Sequence, residues 1–97
     1  MSGSKSKSIL TTDEDRCFLC GRYGDLEWHH IFGGANRINS ERYGLIVPLC
    51  HSCHNEPPDG VHFNREAMDD LRKRGQKAFE SIADHDEFMK IFGENYL

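Results

Sequence analysis

Three groups of residues in this chain have types and spacings that can do chemistry. Cys17-Phe18-Leu19-Cys20 and Cys50-His51-Ser52-Cys53 are Cys-x2-Cys pairs separated by 29 residues. Between them stand His29 and His30 in tandem, and His54 follows the second pair directly. Two thiolates at this spacing can face one ion when the chain turns between them, and Gly21 lets the first turn close. Together Cys17, Cys20, Cys50 and Cys53 fill a tetrahedral shell with no open position, the form of a structural zinc site. His54 is placed to substitute for a thiolate, but the four cysteines already suffice. The histidine pair offers different chemistry, because imidazole binds divalent metals and, with a reference pKa of about 6.5, is a competent base at neutral pH.

The elements that must position these groups are small. Leu26, Trp28, His30 and Phe32 alternate with Glu27, His29 and Ile31, which predicts a strand over 25–32. Neighbouring side chains on a strand point to opposite faces, so His29 and His30 take different jobs, one toward a metal and one toward a substrate. Residues 33–44, rich in Gly and Asn, read as a loop carrying Arg37 and Arg42 as candidate phosphate contacts. The apolar run 45–49 reads as the second strand of a hairpin, with Pro48 suggesting an edge or terminus. Asn55 to Gly60 is turn chemistry. Asn64 is a helix N-cap, and Met68, Leu71, Gly75, Ala78, Phe79 and Ile82 recur at helical spacing over 65–82. The outer face of that helix takes Arg72, Lys73, Arg74 and Lys77 as a solvated basic cluster. Asp84 and Glu87 make a capping-box spacing for a last helix, 85–92, ended by Gly93.

Composition bounds the possibilities. A chain of 97 residues makes one domain with a small core that needs a staple, and the cysteines supply it. Residues 1–12, with Lys5 and Lys7, read as a flexible leader lacking the apolar segment of a signal peptide. No apolar run reaches membrane-spanning length. Paired Cys-x2-Cys motifs then indicate a reducing, cytoplasmic compartment where thiols bind metal. The formal net charge of −4 disfavours a protein that simply coats DNA. Residues 1–48 carry six basic and six acidic side chains, so the acidic excess lies in the second half.

The order Cys-x2-Cys, His29-His30-Ile31, Val47-Pro48-Leu49-Cys50-x2-Cys53-His54 resembles the HNH endonucleases, above all small single-domain members from phages and prophages. The resemblance covers about residues 17–62 and implies an α+β fold in which a β-hairpin and a helix surround one divalent ion (the ββα-metal motif), with C-terminal helices over 64–97. It makes His30 the general base, and His29 and His54 ligands of a catalytic Mg²⁺, Mn²⁺, Ni²⁺ or Zn²⁺. The cysteines match a structural zinc found in many members. Two positions depart from the family pattern. Leu45 stands where the middle Asn of the motif falls, leaving a main-chain carbonyl, Asn36 or Asn39 to orient His30 through Nδ1 with Nε2 free for water. Pro58 stands where a further metal ligand is usual, and His62, beyond the Pro-Pro-Asp-Gly turn, takes that role instead.

The resemblance implies hydrolysis of double-stranded DNA to 5′-phosphate and 3′-hydroxyl ends in a bacterial cell, with Arg37 or Arg42 stabilising charge on the phosphate. One active site per chain suggests nicking unless it dimerises or works with a phage packaging or recombination partner. The alternative of another class is a non-catalytic zinc-ribbon nucleic-acid-binding or adaptor module. A zinc ribbon needs neither His29 nor His30, so the tandem pair separates the two. A metal-sensing regulator is weaker, since no recognition helix preceded by basic residues is evident.

Overall fold

The computed structural model describes residues 7–58 and 60–97, so part of the leader, including Lys5, and Asp59 of the turn lie outside the described residues. Its elements in order are β1 (Glu27–His30), a 3-10 turn (Gly34–Asn36), α1 (Arg37–Tyr43), β2 (Ile46–Leu49), α2 (His51–Asn55), α3 (Arg65–Ile82) and α4 (His85–Phe92). The chain is a small α+β structure whose two-stranded antiparallel sheet pairs Glu27 with Leu49 and His30 with Ile46.

The sheet is short because both ends are diverted. Beyond β1, Ser40 of α1 is fully buried and clamps Phe32, accepting from its N–H at 3.0 Å and donating to its carbonyl at 2.7 Å. Residues 33–44 are therefore a 3-10 turn and a helix rather than a loop. Gly44 ends α1 at φ 74°, the left-handed conformation favoured at helix C-termini. Asn36 and Asn39 donate to the Phe92 and Ile91 carbonyls at 3.1 and 3.3 Å, satisfying orphan acceptors at the end of α4. Neither asparagine is left to orient His30.

All of β2 is buried, and Leu45, Val47 and Leu49 join Ile31, Phe32, Val61, Leu71, Phe79, Phe88 and Phe92 in one core. Phe32 is its centre on the helical side, with ring centroids 4.8 Å from Phe92 and 5.0 Å from Tyr96. Gly75 brings α3 close to the residues that follow β1: a Cβ there would sit 3.2 Å from Ile31 and 3.3 Å from Phe32. The caps are the expected ones, with Asn64 accepting from Ala67 N–H and Asp84 from Glu87 N–H. No helix among the described residues is long and apolar enough to cross a membrane.

Candidate metal centre

Two clusters of metal-ligand side chains form. In the first the four cysteines converge, with all Sγ atoms within 4.8 Å of one another and none in a disulfide. The first knuckle closes through Gly21 N–H to the Cys17 carbonyl (2.9 Å) with Gly21 at φ 80°. It is fastened to the sheet by Phe18 N–H to the Pro48 carbonyl (2.7 Å), which the edge position of Pro48 leaves available. The second knuckle runs into α2, a helix that residue spacing alone did not place over 51–55. Burial acts to raise the Cys17 thiol, but N–H groups of Cys50, Cys20 and Leu19 outweigh it and hold its pKa at about 6. Burial and the neighbouring thiols push Cys53 the other way. Thiols this close cannot all ionise by themselves, and a divalent cation is what makes four thiolates tolerable. The cluster can hold a zinc ion.

In the second cluster His29, His54 and His62 offer ring nitrogens within 4.8 Å of one another. Each comes from a different piece of chain. His29 projects from β1 into the interior and is only 2% exposed. His54 sits in the last turn of α2, one residue past the cysteine pair, so the zinc knuckle and this site share one short helix. His62 is returned by the turn after Pro58: Gly60 N–H bonds Glu56 O, Val61 N–H bonds Cys53 O at 2.7 Å, and His62 N–H bonds His54 O at 3.3 Å. A Cβ on Gly60 would lie 2.6 Å from Glu56 N, so the turn closes only with glycine. Gly60→Ala should displace His62 and weaken metal binding at the histidine site at least tenfold, by isothermal titration, while zinc in the cysteine cluster is retained.

The donor set fits a metal. His54 donates Nδ1–H to Glu27 Oε1 at 2.7 Å, which leaves its Nε2 lone pair 3.1 Å from His62 Nε2. Two nitrogens bound to one ion at about 2.1 Å stand roughly 3.0–3.4 Å apart, so this spacing suits shared coordination. His29 Nε2 is buried with no hydrogen-bond partner, a loss of order 1–3 kcal/mol that a metal bond would remove. Burial, then the His54 and His62 charges, push the His29 pKa down to about 3, so it stays neutral and ligand-competent at ordinary pH.

That depression also has a stability consequence. The unfolded chain takes up the His29 proton near pH 6.5 and the folded chain near pH 3, so the stability from a neutral His29 is complete above about pH 6.5. It is lost as pH falls, by at most about 1.4 kcal/mol per pH unit. Urea-midpoint profiles should therefore be flatter between about pH 6.5 and 5 for His29→Leu than for wild type.

Glu27 is a residue the sequence reading missed. It lies two positions before His29 on the same strand, and its carboxylate accepts from both His54 Nδ1 (2.7 Å) and His51 Nδ1 (3.0 Å). These bonds hold the Glu27 carboxyl below the ordinary carboxylate range. A carboxylate behind a metal-binding histidine fixes its tautomer and raises its basicity. Glu27→Gln should lower metal affinity at the three histidines about 10- to 100-fold, read by competition with a chromophoric chelator.

His30 points to the other side of β1, as strand alternation requires, and is not part of either cluster. Its Nε2 lies 2.7 Å from Glu41 Oε1 on α1, which accepts the Nε2–H and is itself held below its usual pKa by that bond. The polarity is thus opposite to that expected: Nε2 is tethered, and Nδ1 has no hydrogen-bond partner among the described residues. His30 lines a cavity of about 320 Å³ together with His29, His54, His62 and Arg37. It also lines a second cavity with Arg37, Ile38, Glu41 and Arg42, so Arg42 stands beside His30 but away from the three histidines. Arg72, taken from sequence as solvated, instead lines a cavity of about 290 Å³ with His29, His30 and His62.

No protein-family model matches this chain, no curated protein matches it in sequence, and no solved structure matches its fold.

Proposed function

We propose that this chain is an HNH-type, metal-dependent endonuclease that hydrolyses phosphodiester bonds in DNA, with β1, β2 and α2 acting as a ββα-metal unit. The observation that carries the reading is one cavity wall holding the three clustered histidines, His30 and Arg37. Three imidazoles form a partial shell with room for substrate, unlike the closed four-cysteine cluster. A divalent ion held there supplies Lewis-acid stabilisation of the phosphate and of the departing oxygen.

The chain's own residues account for the remaining needs. Glu41 accepts the Nε2–H of His30 and so presents the Nδ1 lone pair, which takes the proton of the attacking water. In this arrangement Glu41, eleven residues along the chain, replaces the orienting Asn that Leu45 displaces. Leu45 is fully buried in the core and has no polar part in the site. Arg37 faces the same cavity and stabilises negative charge as the phosphate becomes pentacoordinate. Arg42 sits one step away, on the His30–Glu41 side, placed for a flanking phosphate.

Incubating supercoiled plasmid with the purified chain and Mg²⁺, Mn²⁺, Ni²⁺ or Zn²⁺ tests this reading. The expected result is metal-dependent nicking that leaves religatable 5′-phosphate ends. Absence of cleavage with every metal, alongside full occupancy of both clusters, would favour a non-catalytic zinc module.

A further inference from the structure

Among the described residues, only two buried side-chain polar atoms lack a hydrogen-bond partner: His29 Nε2 and Arg72 Nε. Both residues line the same cavity, of about 290 Å³, with His30, His62 and Tyr96 also on its wall. The histidine atom is explained by a metal. The arginine atom is not, because a guanidinium is cationic, donates only and cannot ligate a cation.

We infer that Arg72 forms a phosphate subsite on the α3 side of the histidine centre. The identity of its ligand as a nucleic-acid phosphodiester rests on the function proposed above. A buried N–H donor with no acceptor beside a cavity calls for an anion, and guanidinium and phosphate pair through two parallel hydrogen bonds. The side chain is braced for this. Its guanidinium lies 5.7 Å from the Tyr96 ring centroid, and Tyr96 is in turn fixed by its own N–H on buried Gln76 (2.7 Å).

The competing role is a plain helix-surface ion pair. Asp69, three residues earlier, reaches Arg72 through Nη1 alone at 3.6 Å, and its side chain is half exposed. A contact that long is no hydrogen bond, and a pair so exposed is weak enough for a phosphate to displace. It leaves Nε and Nη2 for another acceptor. The setting favours an anion as well. Arg72 and Arg37 line two cavities that share His29, His30 and His62. A chain of net charge −4 thus still places two guanidinium groups beside the histidine centre.

The test follows the Arg72 Nε–H signal by ¹H–¹⁵N NMR in the zinc-loaded chain, assigned by its loss in Arg72→Gln, during titration with inorganic phosphate. A saturable shift in the millimolar range is expected; an unmoved signal overturns the subsite, whether or not the chain cuts DNA. The second arm measures duplex binding by anisotropy in a His30→Ala background that prevents cleavage. Arg72→Gln should weaken binding about tenfold and lower the salt slope by about 1, with Arg72→Lys recovering only part. Phosphate binding with unchanged duplex affinity would overturn the phosphodiester assignment. Failure of wild type to bind or cleave DNA, with Arg72 still titrated by phosphate, would overturn the nuclease reading and leave the anion subsite standing.

Discussion

Stripping the metal ion that the four-cysteine cluster can hold, or replacing Cys17 and Cys50 by serine, is expected to abolish the cooperative unfolding transition. The reasoning starts from size. A domain of this length is stabilised by about 5–15 kcal/mol at most, and structural zinc contributes apparent free energies of about 10–16 kcal/mol in small domains. Losing the ion therefore removes as much as the fold has. The geometry makes the effect global. Cys17 and Cys50 are 3% and 4% exposed and belong to the core, so their loss is felt beyond the knuckles. Cys50 and Cys53 also define the start of α2, the helix that presents His54. Chelation followed by far-UV and near-UV circular dichroism should show loss of near-UV signal and of a sharp melt. A melting temperature that moves by only a few degrees would show that the apolar core holds alone.

The second large effect is expected at His30. His30→Ala should lower the cleavage rate about 10²- to 10⁴-fold, the range associated with a positioned general base. It should do so without loss of metal, because His30 is not among the three histidines whose nitrogens converge. Its side chain is largely covered by neighbours, but it lies at the edge of the sheet and outside the core cluster, so the variant should fold. Glu41→Gln should produce the same kind of defect with smaller size, since an amide oxygen still accepts from Nε2–H but stabilises an imidazolium less. A histidine acting only as a DNA contact would instead raise KM and leave kcat nearly intact.

How much of this was legible in the sequence depends on the range of the interaction. Local signals serve well. Helical spacing and the Asn64 cap predict 65–82, and α3 runs from Arg65 to Ile82; the Asp84 cap and Gly93 bound α4 just as closely. Period-two alternation separates His29 from His30, and the structure buries His29 and turns His30 to the other side of β1, against Glu41. The two cysteine pairs meet as their spacing implies. What escapes is held by distant partners. Residues 33–44 look like a loop because of Gly33, Gly34 and Asn36, yet Ser40 on Phe32 and Asn39 on Ile91 tie them down as a helix. The only local hint was Gly44, a helix-stop residue at the end of the stretch.

Glu27 and Glu41 escaped for the same reason, since their partners lie 27 and 11 residues away. Glu27 left one usable trace: it shares a strand face with His29, so a reader tracing that face toward the metal would meet it. Arg72 was misread because helical periodicity assigns faces relative to one core. Here α3 packs through Gly75 on Ile31 and Phe32, just beyond β1, and through Phe79 on Phe88 and Phe92, while its Arg72 edge borders the histidine cavity. A cavity wall is a boundary that a two-sided helix picture has no place for.

The central claim is that His30 activates water beside a metal held by His29, His54 and His62. Its most direct test is single-turnover cleavage of an end-labelled duplex by wild type and His30→Ala, with metal content per chain measured on the same samples. The account predicts equal metal content and a rate at least a hundredfold lower for the variant. Equal metal content with an unchanged rate would contradict it.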